Sequence, residues 1–365
     1  MRSLKSEAVG IYDNKPAKAI RQKEAKTMKA GMIRKPGELA LVNIDEPVIS
    51  ASDEVKIKVK RVGICGSDVH IFHGKNPYAT YPRIWGHEFT GEVVETGSGV
   101  ENVAVGDHVV AEQYYSCGKC YACTHGWANV CKNVSVFGVH QEGGCREYMI
   151  VKAAKLYKID PSIPWDVAVL TEPISIGFQA TSRGNVLPGD KVLVMGAGTI
   201  GLTLLMAAKE KGAEVMITDL FDDKLEYAKS WGADYTVNVK EKTIEEAMKE
   251  ADFEPNVVLD AVGIKKNLED AVEMVSPAGR VVELGFPPIT ADLSLPAMNR
   301  KEVSVYGTRL QSGQFPPSVR FVEKYAEKLK DFATQKYPID EVGAAFEFAV
   351  SHPGEFRKIV ISMDE

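Results

Sequence analysis

One stretch constrains this chain more than any other, KVLVMGAGTIGLTLLMAAKEKGAEVMITD from Lys191 to Asp219. Its apolar run Val192–Met195 suits a strand buried on both faces, and it leads straight into Gly196, Gly198 and Gly201 at GxGxxG spacing. Leu202, Leu205, Met206 and Lys209 then recur at helical spacing until Gly212 caps them, and a second apolar run, Val215–Thr218, ends in Asp219. Strand, glycine turn, helix, strand and terminal acid follow within about 30 residues, the context without which GxGxxG means little. The fold class is therefore α/β, with a parallel sheet covered by its crossover helices.

Each glycine has a physical reason. Gly196 permits the tight turn, Gly198 lets the backbone approach a pyrophosphate, Gly201 lets helix and strand pack closely, and the free N–H groups of the helix start receive phosphates. Asp219 falls 21 residues after Gly198, where a carboxylate can accept from both ribose hydroxyls of an adenosine. The residues that follow, Leu220, Phe221, Asp222 and Asp223, offer no Arg to a 2′-phosphate, so NAD is expected rather than NADP. The alternative is a glycine turn in a ligand-free sheet. Downstream, helices over Lys224–Gly232, Ile244–Glu250 and Leu268–Val275 alternate with strands over Tyr235–Val239, Val257–Val262, Arg280–Gly285 and Val303–Gly307, which completes six parallel strands. Gly263, Gly285 and Phe286 follow such strand ends and are expected to face the nicotinamide half.

A chain of 365 residues has room for about two domains with cores of their own. Its net charge of −6 argues against a nucleic-acid partner. The best candidate for a membrane span, Val192–Ala208, is uncharged for 17 residues but is broken by three glycines, so no membrane partner is expected. Residues 1–27 hold seven Lys/Arg against three Asp/Glu without the apolar core of a signal peptide. They read as a solvated N-terminal extension, with a basic arm that touches a partner as the alternative. From Met28 the chain reads as short strands. Glu54–Val62 alternates Val55, Ile57 and Val59 with charged residues, a half-exposed strand that delivers Gly63–Asp68 at its end. Ile84, Phe89, Val93 and Val94, and the GDHVVAEQ run from Gly106, add further short strands, the pattern of a small β-barrel-like domain.

Cys117, Cys120, Cys123 and Cys131 place four thiols within 15 residues, and each CxxC turn aims two sulfurs at one point. Four thiolates with no open position make a structural zinc site. Disulfides are the rival, disfavoured by the lack of a secretory signal and by the isolation of Cys65 and Cys145. This reading assumes a reducing compartment, the cytoplasm. Other metal-ligand types are scattered: Cys65 in GICGSDVH, His87 and Glu88 in GHE, and Glu172 in TEP. Singly they have ordinary explanations, a buried thiol, a core histidine, a surface acid and an acid before proline. Together they are one soft ligand, one imidazole and two carboxylates, which suits a zinc with an exchangeable position.

GICGSDVH, GHEFTGEVVETG, the four-cysteine loop, TEP and GAGTIG together resemble the zinc-dependent medium-chain alcohol dehydrogenase superfamily from Met28 onward. Glu88 beside His87, with Glu172 in place of a cysteine, resembles its sorbitol and threonine dehydrogenase branch. The resemblance implies a GroES-like β-barrel catalytic domain over residues 28–174, to which 308–365 return, and a doubly wound Rossmann NAD-binding domain over 175–307. It implies two zinc ions per chain, and NAD. Cys65, His87 and Glu88 match ligands of the catalytic zinc, and Glu172 matches the residue that completes that shell or competes with water for it. Thr199, Ile200 and Lys224 join Gly196, Gly198, Gly201 and Asp219 at the cofactor. Ser67 matches the hydroxyl that hands on the substrate proton and His70 the imidazole beyond it; a helix cap and a solvated surface residue are their ordinary alternatives. Asp68 reads as structural, and Trp85, Tyr114 and Tyr115 as pocket or core. A homo-oligomer, dimer or tetramer, is also implied.

The reaction implied is reversible oxidation of a secondary alcohol to a ketone, with a polyol or sugar acid as the small-molecule partner. KNPYATYPRIWGHE, SVFGVHQEGGCREY and RKEVSVYGTR resemble the members that oxidise the 5-hydroxyl of L-galactonate, L-gulonate or L-idonate. Arg309 matches a position near the polyol in the sorbitol enzymes, where a guanidinium could bind hydroxyls or a distal carboxylate; its alternative is an interdomain ion pair. Sorbitol, threonine and butanediol stay open as substrates. A zinc-stapled nucleotide-binding scaffold without catalysis is the rival from another class, and the intact Cys65, Ser67, His70, His87 and Glu88 set opposes it.

Overall fold

The computed structural model describes residues 26–285 and 288–364. Phe286 and the basic segment 1–25 lie outside them. Six parallel strands, Lys191–Met195, Glu214–Asp219, Tyr235–Asn238, Val257–Asp260, Arg280–Glu283 and Ser304–Gly307, form one sheet. The third strand lies at one edge, followed by the second and first, and then by the fourth, fifth and sixth, the doubly wound order. Strand order therefore reverses beside Lys191–Met195, which is where a ligand crevice opens.

Val192, Leu193 and Val194 are all 0% exposed because helices cover both faces of this sheet. Val192 and Val194 pack with the helices Thr171–Arg183 and Thr199–Glu210, whereas Leu193 and Met195 pack with Lys265–Met274. A Cβ on residue 201 would overlap the carbonyl oxygen of Gly196, so only glycine lets the Thr199 helix come this close to its strand. The helix expected from Lys224 begins earlier, at Asp222, because Asp222 and Asp223 place negative charge at a helix N-terminus.

A second sheet runs Leu156–Lys158, His108–Ala111, Glu88–Thr96, Glu54–Ile64, Ile359–Ser362 and Gln335–Pro338 in that order, with Tyr148–Lys152 also paired to the Glu54 strand. Register shifts between Lys56 and Ile57 and between Val59 and Arg61 mark irregularities of the kind that bend a strand toward a barrel. The Glu54 strand corrects the expectation of a half-exposed element. Val55, Ile57 and Val59 do face the core, but Lys56 on the other face is only 8% exposed and meets Glu46. Arg61 likewise pairs with Asp166 and Asp364, each at 2.6 Å. Alternation identifies the apolar face; it does not show that acids distant in sequence will cover the charged one. The strand runs on to Ile64, and so hands Cys65 directly to the helix Gly66–Phe72. Among the described residues no helix is long and apolar enough to cross a membrane.

Candidate active site

Cys65 is the N-cap of the helix Gly66–Phe72, His87 precedes the strand Glu88–Thr96, and Glu88 opens that strand, where it pairs with Gly63. One ligand atom from each of Cys65, His87 and Glu88 lies within 4.8 Å of the other two. Space for the Glu88 carboxylate exists because residue 63 has no side chain; a Cβ there would occupy the place of Glu88 Oε2. Asp68, 0% exposed, organises the cluster from behind. Its Oδ2 accepts the Cys65 N–H at 2.9 Å and its Oδ1 lies 3.6 Å from His87 Nδ1. The His87 ring therefore has a carboxylate on its Nδ1 side, the place such a group takes behind a metal-binding histidine. Burial disfavours the charged form of His87, yet Asp68 and Cys65 hold its pKa well above the ordinary histidine value. Such a pocket favours a cation, and thiolate, imidazole and carboxylate suit zinc with a position left open.

Since Cys65 is the cap, Ser67 does not serve as one; it sits half-buried in the first turn of the helix, and His70 is exposed on the same helix. Burial, with Lys75 and His73, lowers the pKa of His70. Glu172 stands beside the three-residue cluster rather than within it. Its Oε1 accepts from Gln113 Nε2 at 2.7 Å, and burial pushes its pKa up to about 8, with His87 opposing and Glu88 adding to the rise. Sequence reasoning missed Gln113 and Lys358. Lys358 is 1% exposed, forms an ion pair with Glu88 Oε2 and donates to the Ile64 carbonyl at 2.9 Å. Burial works against its charge, while Glu88 and Cys65 more than restore it. In the sequence, the KIVIS stretch from Lys358 to Ser362 reads as a strand but shows nothing of the carboxylate its lysine meets.

Trp85 and Tyr114 are core, at 0% and 1% exposure. Trp85 meets Phe346 edge-on, Tyr114 donates its hydroxyl to the Gln311 carbonyl at 2.8 Å, and Tyr115 packs against Phe137.

In the four-cysteine loop Cys120 Sγ lies 3.5 Å from Cys123 Sγ and 3.8 Å from Cys131 Sγ. A disulfide needs about 2.05 Å. A tetrahedron with zinc–sulfur bonds of about 2.3 Å has edges of about 3.8 Å. Cys117 N–H and Asn133 N–H donate to Cys131 Sγ at 3.3 Å each, and the backbone N–H groups of Cys123 and Lys132 lower the Cys120 thiol to about 6. These residues fit a closed zinc site, and all six cysteines are free.

At the sheet's crevice Asp219 ends its strand beside the glycine turn, with Oδ2 accepting the Ala197 N–H at 2.6 Å and Oδ1 accepting those of Leu220 and Phe221 at 2.8 and 3.1 Å. A Cβ at Gly198, the N-cap of the Thr199–Glu210 helix, would meet nothing within 4 Å. That open cradle, with the N–H groups of Thr199, Ile200 and Gly201 at a helix start, fits a pyrophosphate. Lys224 is 8% exposed and lies over the Phe221 ring; burial lowers its pKa and Asp219 opposes this. Arg309, beyond the strand Ser304–Gly307, lies over the Tyr78 ring at 5.6 Å, and that ring is 6.1 Å from His140. Gly138, two residues before His140, packs on the backbone of Gly86, next to His87.

Residues 51–161 match the alcohol dehydrogenase GroES-like domain and residues 199–324 the zinc-binding dehydrogenase family. The chain belongs to the zinc-type alcohol dehydrogenases. This dehydrogenase is 37% identical to the L-threonine 3-dehydrogenase of Pyrococcus horikoshii over 352 residues, 92% of this chain and 99% of that one. It is 32% identical to the L-galactonate-5-dehydrogenase of Escherichia coli K12 over 342 residues, again 92% and 99% of the two chains. A solved structure of the alcohol dehydrogenase RspB from Escherichia coli CFT073, complexed with NADH, is similar with a TM-score of 0.87 at 35% identity, covering 92% of this chain and 99% of that chain. The fold is thus the GroES-like barrel joined to a Rossmann sheet, and the cofactors of the dehydrogenase are zinc and NAD.

The two clusters of the dehydrogenase should differ in lability. Chelation is expected to remove metal from the Cys65 cluster first, with activity lost in step, while the closed four-thiolate site keeps its zinc. Metal analysis after timed EDTA treatment checks this; one zinc per chain in fully active protein would refute it.

Proposed function

We propose that the protein is an NAD-dependent hexonate 5-dehydrogenase, acting on L-galactonate, L-gulonate or L-idonate. The observation that carries the sugar-acid assignment is Arg309, whose guanidinium lies just beyond the last strand of the parallel sheet and over the ring of Tyr78. A carboxylate distant from the reacting carbon needs a cationic partner, because burying it unpaired costs several kcal/mol. The likeness to the L-galactonate enzyme supports this reading, and the likeness to L-threonine 3-dehydrogenase keeps an amino acid as its rival.

Cys65, His87 and Glu88 would hold the catalytic zinc, with Glu172 at the open side. When bound, zinc supplies a Lewis acid that lowers the pKa of a hydroxyl, and NAD supplies the hydride acceptor. Asp68 orients His87, and Lys358 balances the charge of Glu88. Ser67 Oγ takes the substrate hydroxyl proton and His70 passes it to water, so alcohol and NAD become ketone, NADH and one proton. The glycine turn, Thr199 and Ile200 hold the pyrophosphate, and Asp219 with Lys224 the adenosine ribose.

Residues 28–174 with 308–365 form the catalytic domain in this reading and 175–307 the dinucleotide domain, supported by the pairing of Ile359–Ser362 with the Glu54 strand. The Ser304–Gly307 edge of the parallel sheet pairs with no further strand among the described residues, which suits a homo-oligomer built edge to edge. Six free cysteines suit a reducing cytoplasm.

Turnover of NAD with sugar acids, polyols and threonine tests the assignment. The acids should give the highest kcat/KM. Arg309→Met should lower kcat/KM for the acid by about ten- to a hundredfold, the worth of a hydrogen bond to a charged group, and leave sorbitol nearly unchanged. Faster oxidation of sorbitol, threonine or butanediol than of every sugar acid removes the hexonate reading.

A further inference from the structure

Two carboxyl side chains stand side by side at the carboxyl ends of the parallel sheet. Asp260 closes one strand and Glu283 the next, and the ladder pairs them directly. Asp260 is 0% exposed. Its Oδ1 accepts the N–H groups of Val262 at 2.9 Å and Gly263 at 3.3 Å and the Nδ2–H of Asn267 at 3.2 Å. Its Oδ2 is buried and receives no donor from the described residues. Glu283 Oε1 accepts the Gly285 N–H at 2.6 Å, and burial together with the Asp260 carboxyl beside it raises its pKa.

Ionised carboxylates only accept hydrogen bonds, so Asp260 Oδ2 can be satisfied from this neighbour only if one proton stays between the two. Like charges in contact do not both persist in a buried site, whereas acid and carboxylate form a strong charge-assisted bond. Burial and the neighbouring Asp260 carboxyl raise Glu283, so the proton of the pair is placed on Glu283.

We propose that Glu283 is a positioning residue, kept as the acid and clasped to Asp260, that ties the loops at Val262–Gly263 and Leu284–Gly285 together beneath the nicotinamide end of the dinucleotide. This rests on the dinucleotide site proposed above, which places that end at the strand termini. Raising the pH takes the proton, opposes two carboxylates and weakens dinucleotide binding. Burial, then Asp260, pushes Glu283 up to about 7, so the clasp is closed in mild acid and opens through neutrality. The other charged groups lining the same cavity of about 330 Å³ are Arg183, from the helix Thr171–Arg183, and Arg309, and both favour the ionised form.

NADH binding to the zinc-loaded protein, followed by nucleotide fluorescence between pH 5.5 and 8.5 as about the useful range around neutrality, tests the clasp in wild type, Glu283→Gln and Glu283→Ala. Wild-type Kd should rise by about fivefold or more across neutrality, the scale of a typical coupling. Glu283→Gln carries a permanent donor and should bind as wild type does in acid, with a flatter profile, and Glu283→Ala should bind weakly throughout. The infrared carbonyl band of a protonated carboxyl, in the wild-type minus Glu283→Gln difference, should fade with the same midpoint. The proposal is overturned if Glu283→Gln keeps the wild-type slope, or if the band titrates while wild-type affinity stays flat. Failure of the dinucleotide reading looks different, with no NADH bound at any pH and the infrared titration intact.

Discussion

Replacing Cys65 by alanine is expected to lower kcat by about three orders of magnitude or more, since a Lewis acid is worth several kcal/mol and each 1.36 kcal/mol is about tenfold. Cys65 is one of three residues whose ligand atoms gather within 4.8 Å. Two ligands hold a metal far less well than three, so zinc should fall from about two ions per chain to about one. The four-thiolate loop lies elsewhere and should be unaffected. Metal content and kcat measured on the same preparation decide the matter. Two zinc ions with half the activity retained would exclude Cys65 from the catalytic site.

The second large effect is on stability. Lys358 and Glu88 form an ion pair in which both side chains are only 2% exposed. Removing one partner of such a pair costs about 3–5 kcal/mol, because it leaves an uncompensated buried charge. Lys358→Met should therefore destabilise the metal-free barrel by about that amount in urea unfolding. Adding Glu88→Gln removes the stranded charge, so the double variant should be more stable than the sum of the single changes requires. Additive losses would show that Lys358 acts through packing alone.

What the chain order reveals and what it hides follows from distance along it. The glycine turn, the helix behind it and Asp219 are legible because strand, turn and helix act on one another within a single local unit. The same holds for Cys117 to Cys131, whose sulfurs meet across short turns. Cys65, His87 and Glu88 are harder, since each alone is an unremarkable residue, and only the resemblance of their motifs to known ones brings them together. Lys358 is not legible at all. Its role depends on Gly63 lacking a side chain, on Glu88 entering the space so left, and on a strand pairing that joins opposite ends of the chain. Asp260 and Glu283 are hidden differently: their spacing is consistent with many registers, and only the ladder sets them opposite one another. Arg61 and Lys56 show a third kind of loss, in which the alternation is right and the face it leaves polar is nevertheless covered.

The pairing of Ile359–Ser362 with the Glu54 strand also orders events during synthesis. The parallel sheet uses strands from Lys191 to Gly307, a continuous run that can collapse as it leaves the ribosome. The barrel cannot close in the same way, because its central strand waits for a neighbour made about 300 residues later, at a loop-closure cost that grows only slowly with length. Until then Glu88 lacks Lys358, and the pocket of Cys65, His87 and Glu88 has one wall missing. Zinc should therefore enter that pocket after residues 359–362 have emerged, whereas the four-thiolate loop, complete by Cys131, can be loaded on the nascent chain.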